Sequence, residues 1–157
     1  MSLSRRAFLG AAVAGTAGAL LTRRLPALDA LPAGAAPRMV LYKTPSCGCC
    51  KAWQEHVQKA GFVVEAHDVP DVDPYKAKHG VPLLLSSCHT GIVGGYAIEG
   101  RVPADLIHKL LKERPKVVGL AVPGMPMGSP GMEGPTKEAY DVLAFTKDGK
   151  TRVYAKR

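Results

Sequence analysis

The chain has 157 residues, a formal net charge of +8, four cysteines and only 6% aromatic residues. That length suits one domain around one core and leaves little room for a second. The lysines are scattered, with no arginine-rich run and few aromatics beside them, so nothing in the composition supports nucleic-acid binding.

The N-terminus, "MSLSRRAFLGAAVAGTAGALLTRR", joins a basic start to a small, weakly apolar stretch over residues 7–21. This is the pattern of an export signal. Ser4, Arg5, Arg6, Phe8 and Leu9 fit the twin-arginine motif, with Gly10 where its lysine is usual. A helix over the apolar stretch spans roughly 22 Å, short of the ~30 Å hydrocarbon core, so removal is expected and no stable membrane anchor remains. Ala33-Gly34-Ala35 is the best cleavage site, which leaves residues 36–157 as the mature domain. Residues 1–35 carry four arginines and one aspartate, so their loss lowers the formal charge from +8 to +5. Export by this route places the protein in the periplasm, an oxidising compartment where an even cysteine count ordinarily means structural disulfides.

"RMVLYKT", residues 38–44, reads as a first strand, and Pro45-Ser46 punctuates it before a helix over residues 49–60 that Gly61 ends. Trp53, Val57 and Ala60 form the apolar stripe of that helix, and Cys49 and Cys50 fall within roughly 60° of its centre. "FVVEAHDV" reads as a second strand and "DPYKAKHG" as a short helix or turn. "GVPLLLSSCH" and "GIVGGYAIEG" read as an antiparallel hairpin broken at Thr90-Gly91. "VPADLIHKLLKERP" is an amphipathic helix with Pro103 in its first turn and Pro115 as a stop. A Gly/Pro/Met segment follows, and "DVLAFTKDGKTRVYAK" is a hairpin turning on Asp148-Gly149. No repeat is visible. The order of elements predicts an α/β, thioredoxin-like fold over residues 38–114, carrying a Met/Gly/Pro loop and a C-terminal β-hairpin extension.

Cys47, Cys49 and Cys50 crowd one turn, and Cys88 lies 38 residues beyond Cys50. A Cys47-Cys50 bridge closes a very small loop, the kind that stabilises least in the chain-entropy picture. A vicinal Cys49-Cys50 bridge is strained, and a Cys49-Cys88 bridge stays open on spacing alone. Cys47-x-x-Cys50 after a first strand is the redox dithiol arrangement, and a helix N-terminus lowers thiol pKa values. Thiolates there serve disulfide exchange, with Cys47 attacking and Cys50 resolving, or soft-metal binding. Cys49 favours the metal, because a third thiol scrambles a catalytic disulfide but adds a ligand. Structural zinc usually takes two separated knuckles, so one crowded knuckle points to Cu(I), with silver as the related soft ion.

Met125, Met127 and Met132 sit in a segment that cannot form an apolar helix or strand face. Thioether sulfur selects Cu(I), although methionines also fill irregular gaps. His89, beside Cys88, is a further candidate ligand. His56 lies roughly 10 Å along the helix from Cys49, too far to share an ion with it. His67, His79 and His108 read as solvated.

"TPSCGCCKAWQEH", "GVPLLLSSCHTGIVGGYAIEGRVPADLI" and "AVPGMPMGSPGME" together resemble the exported family catalogued as domain of unknown function 411, over residues 38–155. The resemblance implies a thioredoxin-fold metal-binding protein of periplasmic copper and silver resistance. It implies that Cys47, Cys49, Cys50 and Cys88 form a metal and redox centre, with His89 and the methionine loop as additional ligands, and that Val81-Pro82 matches the cis-proline of thioredoxin-fold sites. Arg101 departs from the family, standing where a histidine is expected. The resulting expectation is a periplasmic Cu(I)-binding protein of copper homeostasis, with a copper exporter or a redox protein as partner. The alternative is a periplasmic thiol-disulfide oxidoreductase. Oxidation of Cys47 with Cys50 is expected to release the metal, and bound Cu(I) to protect those thiols.

Overall fold

The computed structural model describes residues 35–157. The export motif and all but the last residue of its cleavage site lie outside the described residues. Among the described residues no helix is long and apolar enough to cross a membrane.

Strand β1 (Arg38–Lys43) buries Met39, Leu41 and Lys43 and leaves the alternate residues less covered, as period-2 geometry requires. Helix α1 (Gly48–Lys59) returns the chain to β2 (Val63–Asp68), which pairs parallel to β1 with Arg38 opposite Val63. After the short helix α2 (Asp73–Lys78) come β3 (His89–Val93), antiparallel to β1, and β4 (Tyr96–Gly100), antiparallel to β3. Helix α3 (Ala104–Glu113) leads to β5 (Gly119–Val122), parallel to β4. Strands β6 (Asp141–Phe145) and β7 (Thr151–Lys156) then extend one mixed sheet in the order β2-β1-β3-β4-β5-β6-β7.

The sheet carries apolar side chains on both faces. Alternation along β4 and β5 sends Ile98 and Leu120 into the larger core, with Trp53 and Val57 of α1 and Ile107 and Leu110 of α3. Their neighbours Ala97 and Ala121 join a smaller core with Val81, Leu85 and Phe145.

Five expectations need correction. The hairpin turns on Gly94-Gly95, not at Thr90-Gly91, because both glycines take positive φ, +56° and +87°, as a two-residue hairpin turn demands. "VPLLL" is not a strand: Leu83–Leu85 form a 3-10 turn closed by Leu85 N–H on the Pro82 carbonyl. All described peptide bonds are trans, so Val81-Pro82 is not the expected cis-proline. Pro103 sits just outside α3 as its N-cap, and "GLAV", read as part of the Gly/Pro/Met segment, is β5. The Asp148-Gly149 hairpin is where the sequence puts it.

Candidate metal centre

The cysteine turn leaves the end of β1, and the antiparallel register that sets Lys43 opposite His89 starts β3 at that same end. Cys88 therefore arrives beside the start of α1. Cys47 is the N-cap of α1, its sulfur accepting the Cys50 N–H at 3.3 Å, an orphan donor of the first turn. Cys47 and Cys50 are disulfide-bonded, while Cys49 and Cys88 are free thiols. Cys49 Sγ lies 3.5 Å from Cys47 Sγ, and Cys50 Sγ lies 3.6 Å from the Cys88 carbonyl. All four sulfurs fall within 4.8 Å of one another.

Cys88 is held from both sides. The preceding Ser87 N–H donates to Glu99 Oε1 at 2.5 Å, and Glu99 also takes Lys76 Nζ at 2.5 Å and Thr90 Oγ1 at 2.6 Å. The following residue, His89, is fully buried, packs tilted by 37° against Trp53 at 4.4 Å between ring centroids, and sets Nδ1 3.5 Å from Cys88 Sγ. Burial, helped by the charges of Arg101 and Lys76, lowers the His89 pKa to about 3, so its ring is neutral and can offer a lone pair. Burial also pushes the Cys88 thiol above its usual pKa; the nearby Cys49 adds to the shift and the Arg101 guanidinium opposes it.

Two solved structures called "Copper resistance protein copG", Form 2 and Form 1, are each 44% identical to this chain. Each alignment covers 78% of this chain and 98% of the solved one, with TM-scores of 0.74 and 0.73. Residues 85–132 match the family described as "Protein of unknown function, DUF411". The chain belongs to the DUF411 family. No curated protein matches it.

In this DUF411 chain the matched segment runs from Leu85 past Cys88, His89 and Arg101 to Met132, so it holds one wall of the cysteine cluster and the loop above it. The loop meets the cluster through Pro130 and Gly131. Arg101 Nη1 donates to the Pro130 carbonyl at 3.0 Å and to the Cys49 carbonyl at 3.2 Å, bridging the loop to the start of α1. Gly131, at φ +80°, packs so closely that a Cβ there would stand 2.8 Å from Trp53 N and 3.0 Å from the Cys49 carbonyl oxygen. Met125 is 52% exposed, whereas Met127 and Met132 are half-buried in the loop.

The geometry thus gathers all four cysteines and His89. His67 and His108 are exposed, and His56 instead accepts the Ala104 N–H at 3.1 Å. Sequence reasoning passed over Arg101, Glu99 and Lys76 as parts of the site, because charged residues ordinarily lie in water. The one available signal was Arg101 itself, standing where the family resemblance implies histidine. Chemically the donor set is soft: four sulfurs, two now tied in a disulfide, with a neutral imidazole behind them. Such a set suits a thiophilic ion better than a hard one.

Proposed function

We propose that the protein is a periplasmic copper-binding protein of copper resistance that holds Cu(I) on the thiolates of Cys47, Cys49, Cys50 and Cys88. The observation that carries this reading is the convergence of four sulfurs within 4.8 Å from two distant parts of the chain. The copper resistance proteins to which it is 44% identical supply the choice of metal. His89 and the thioethers of Met125, Met127 and Met132 are the neutral donors in the proposal. The signal-like residues 1–35 support export by the twin-arginine route. A thioredoxin-like unit over β1 to α3 is supported by the order β2-β1-β3-β4, with β3 antiparallel to the others and the C-x-x-C at the start of α1.

Redox state enters through ligand supply. A disulfide offers no thiolate, so closing Cys47 with Cys50 lowers the copper load, and bound Cu(I) protects those thiols from oxidation. Anaerobic titration of the reduced protein with Cu(I) against a competing chelator tests the reading. Binding tighter than a simple dithiol is expected, and Cys49→Ser should weaken it while leaving the Cys47-Cys50 disulfide able to form. Reduced protein that binds no tighter than a simple dithiol would sink the proposal.

The Cys47-Cys50 disulfide at a helix start favours a second reading, thiol-disulfide exchange with Cys47 attacking. Insulin reduction at thioredoxin-like rates, indifferent to copper, is the outcome that would select it.

A further inference from the structure

Arg101 is a cation without a neighbouring anion in a place where charge is costly. Its side chain is wholly buried, and its hydrogen bonds run to two carbonyls, of Cys49 and Pro130. Nη2 lies 3.9 Å from Cys88 Sγ, and Nε has no partner among the described residues. Glu133, the acid that feels its field, is exposed and gives one carboxylate oxygen to the Gly131 N–H. A guanidinium does not deprotonate in proteins, so burial must be offset by a counter-charge. Carbonyl dipoles supply only part of it.

The groups in position to supply the rest are the two thiols outside the disulfide. Cys49 and Cys88 keep their sulfurs free when Cys47 and Cys50 are bonded, and these sulfurs lie within 4.8 Å of each other. Sulfurs this close can share one ion, since two thiolate bonds of the ~2.3 Å length that zinc makes reach ~4.6 Å end to end. One Cu(I) entering there displaces two thiol protons, and two thiolates around one monovalent cation leave a single net negative charge. That is the charge Arg101 lacks. We propose that Cys49 and Cys88 form a two-thiolate Cu(I) site that persists in the disulfide form of the protein, with Arg101 as its fixed counter-ion. The inference rests on the reading that the cysteine cluster takes Cu(I), and it changes one consequence of that reading. Closing the disulfide removes two of four ligands and steps the load down instead of emptying the site.

The test uses the protein with its disulfide intact, verified by two titratable thiols per chain, and titrates it anaerobically with Cu(I) against a chelator. One Cu(I) per chain is expected, with near-ultraviolet thiolate-to-copper absorption, and both should vanish in Cys49→Ser and in Cys88→Ser. Arg101→Met should weaken the affinity of the disulfide form by about tenfold or more, whereas Arg101→Lys, which keeps the charge but loses the guanidinium fork, should retain most of it. A merely structural arginine predicts equal losses in both. If Arg101→Met does not fold, the Arg101→Lys affinity and the two cysteine variants still decide. Disulfide-form protein that takes up no Cu(I), or takes it up unchanged in Cys88→Ser, overturns the site, and equal losses in the two Arg101 variants overturn the counter-ion. Failure of the disulfide form alone leaves the proposed function standing, while failure of the reduced form as well removes both.

Discussion

Glu99 is fully buried and accepts from three donors, so it fixes the segment that carries Cys88. Burial pushes its carboxyl above the usual range, and Lys76, Thr90 and the Ser87 N–H pull against that shift. Glu99→Gln leaves the Lys76 ammonium, only 4% exposed, without its counter-charge. The expected loss is about 3–5 kcal/mol in denaturant unfolding, and the pair Lys76→Met with Glu99→Leu should cost much less than the two single changes added together. Additive losses would show that the ion pair is not the unit of stability. At this scale the sequence was legible where residue type alone announces chemistry, as for the cysteines that the fold gathers into one cluster. Glu99, Lys76 and Arg101 were not legible, because only the three-dimensional neighbourhood tells a buried charge from a solvated one.

The two helices of the larger core cap each other. Pro103 has no side-chain oxygen for the start of α3, and the Ala104 N–H donates instead to His56 Nε2 of α1 at 3.1 Å. In return His108 of α3 meets the Ala60 carbonyl at the end of α1, at 2.9 Å. His56 must be neutral to accept, and burial, ahead of the opposing Glu133 and Asp105 charges, lowers its pKa below the ordinary 6.5. The unfolded chain therefore binds this proton more readily than the folded one. The stability it contributes is complete above pH 6.5 and falls as pH drops below that value. His56→Ala should cost about 1 kcal/mol near neutrality and flatten the decline in the unfolding midpoint as pH falls below 6.5. A variant with the parental slope would assign that decline to another group. Helices and the Asp148-Gly149 hairpin were readable because each has a period or a turn signature. The four residues of β5 carry neither, since both of their faces are buried and the alternation is erased.

Across the whole molecule, the turn after β1, the start of β3 and the loop over residues 123–140 meet at one end of the sheet, and neither apolar core includes Cys47 or Cys50. The sequence named the cysteines but not the pairing that unites them. The hairpin register was misplaced, and it is the pairing of Lys43 with His89 that carries Cys88 to the cluster. Since full copper loading requires reduced Cys47 and Cys50, the fold must survive reduction. The disulfide closes a ring of only four residues, worth about 2 kcal/mol by chain entropy, against a structure held by seven paired strands. Reduced, metal-free protein should keep its far-ultraviolet circular dichroism and a single cooperative unfolding transition, with stability lower by no more than that amount. Added Cu(I) should then raise the midpoint with concentration, as mass action requires of a ligand that prefers the native state. If reduction abolishes the transition, the small ring is holding the fold itself, and a redox-coupled copper load cannot operate on a folded protein.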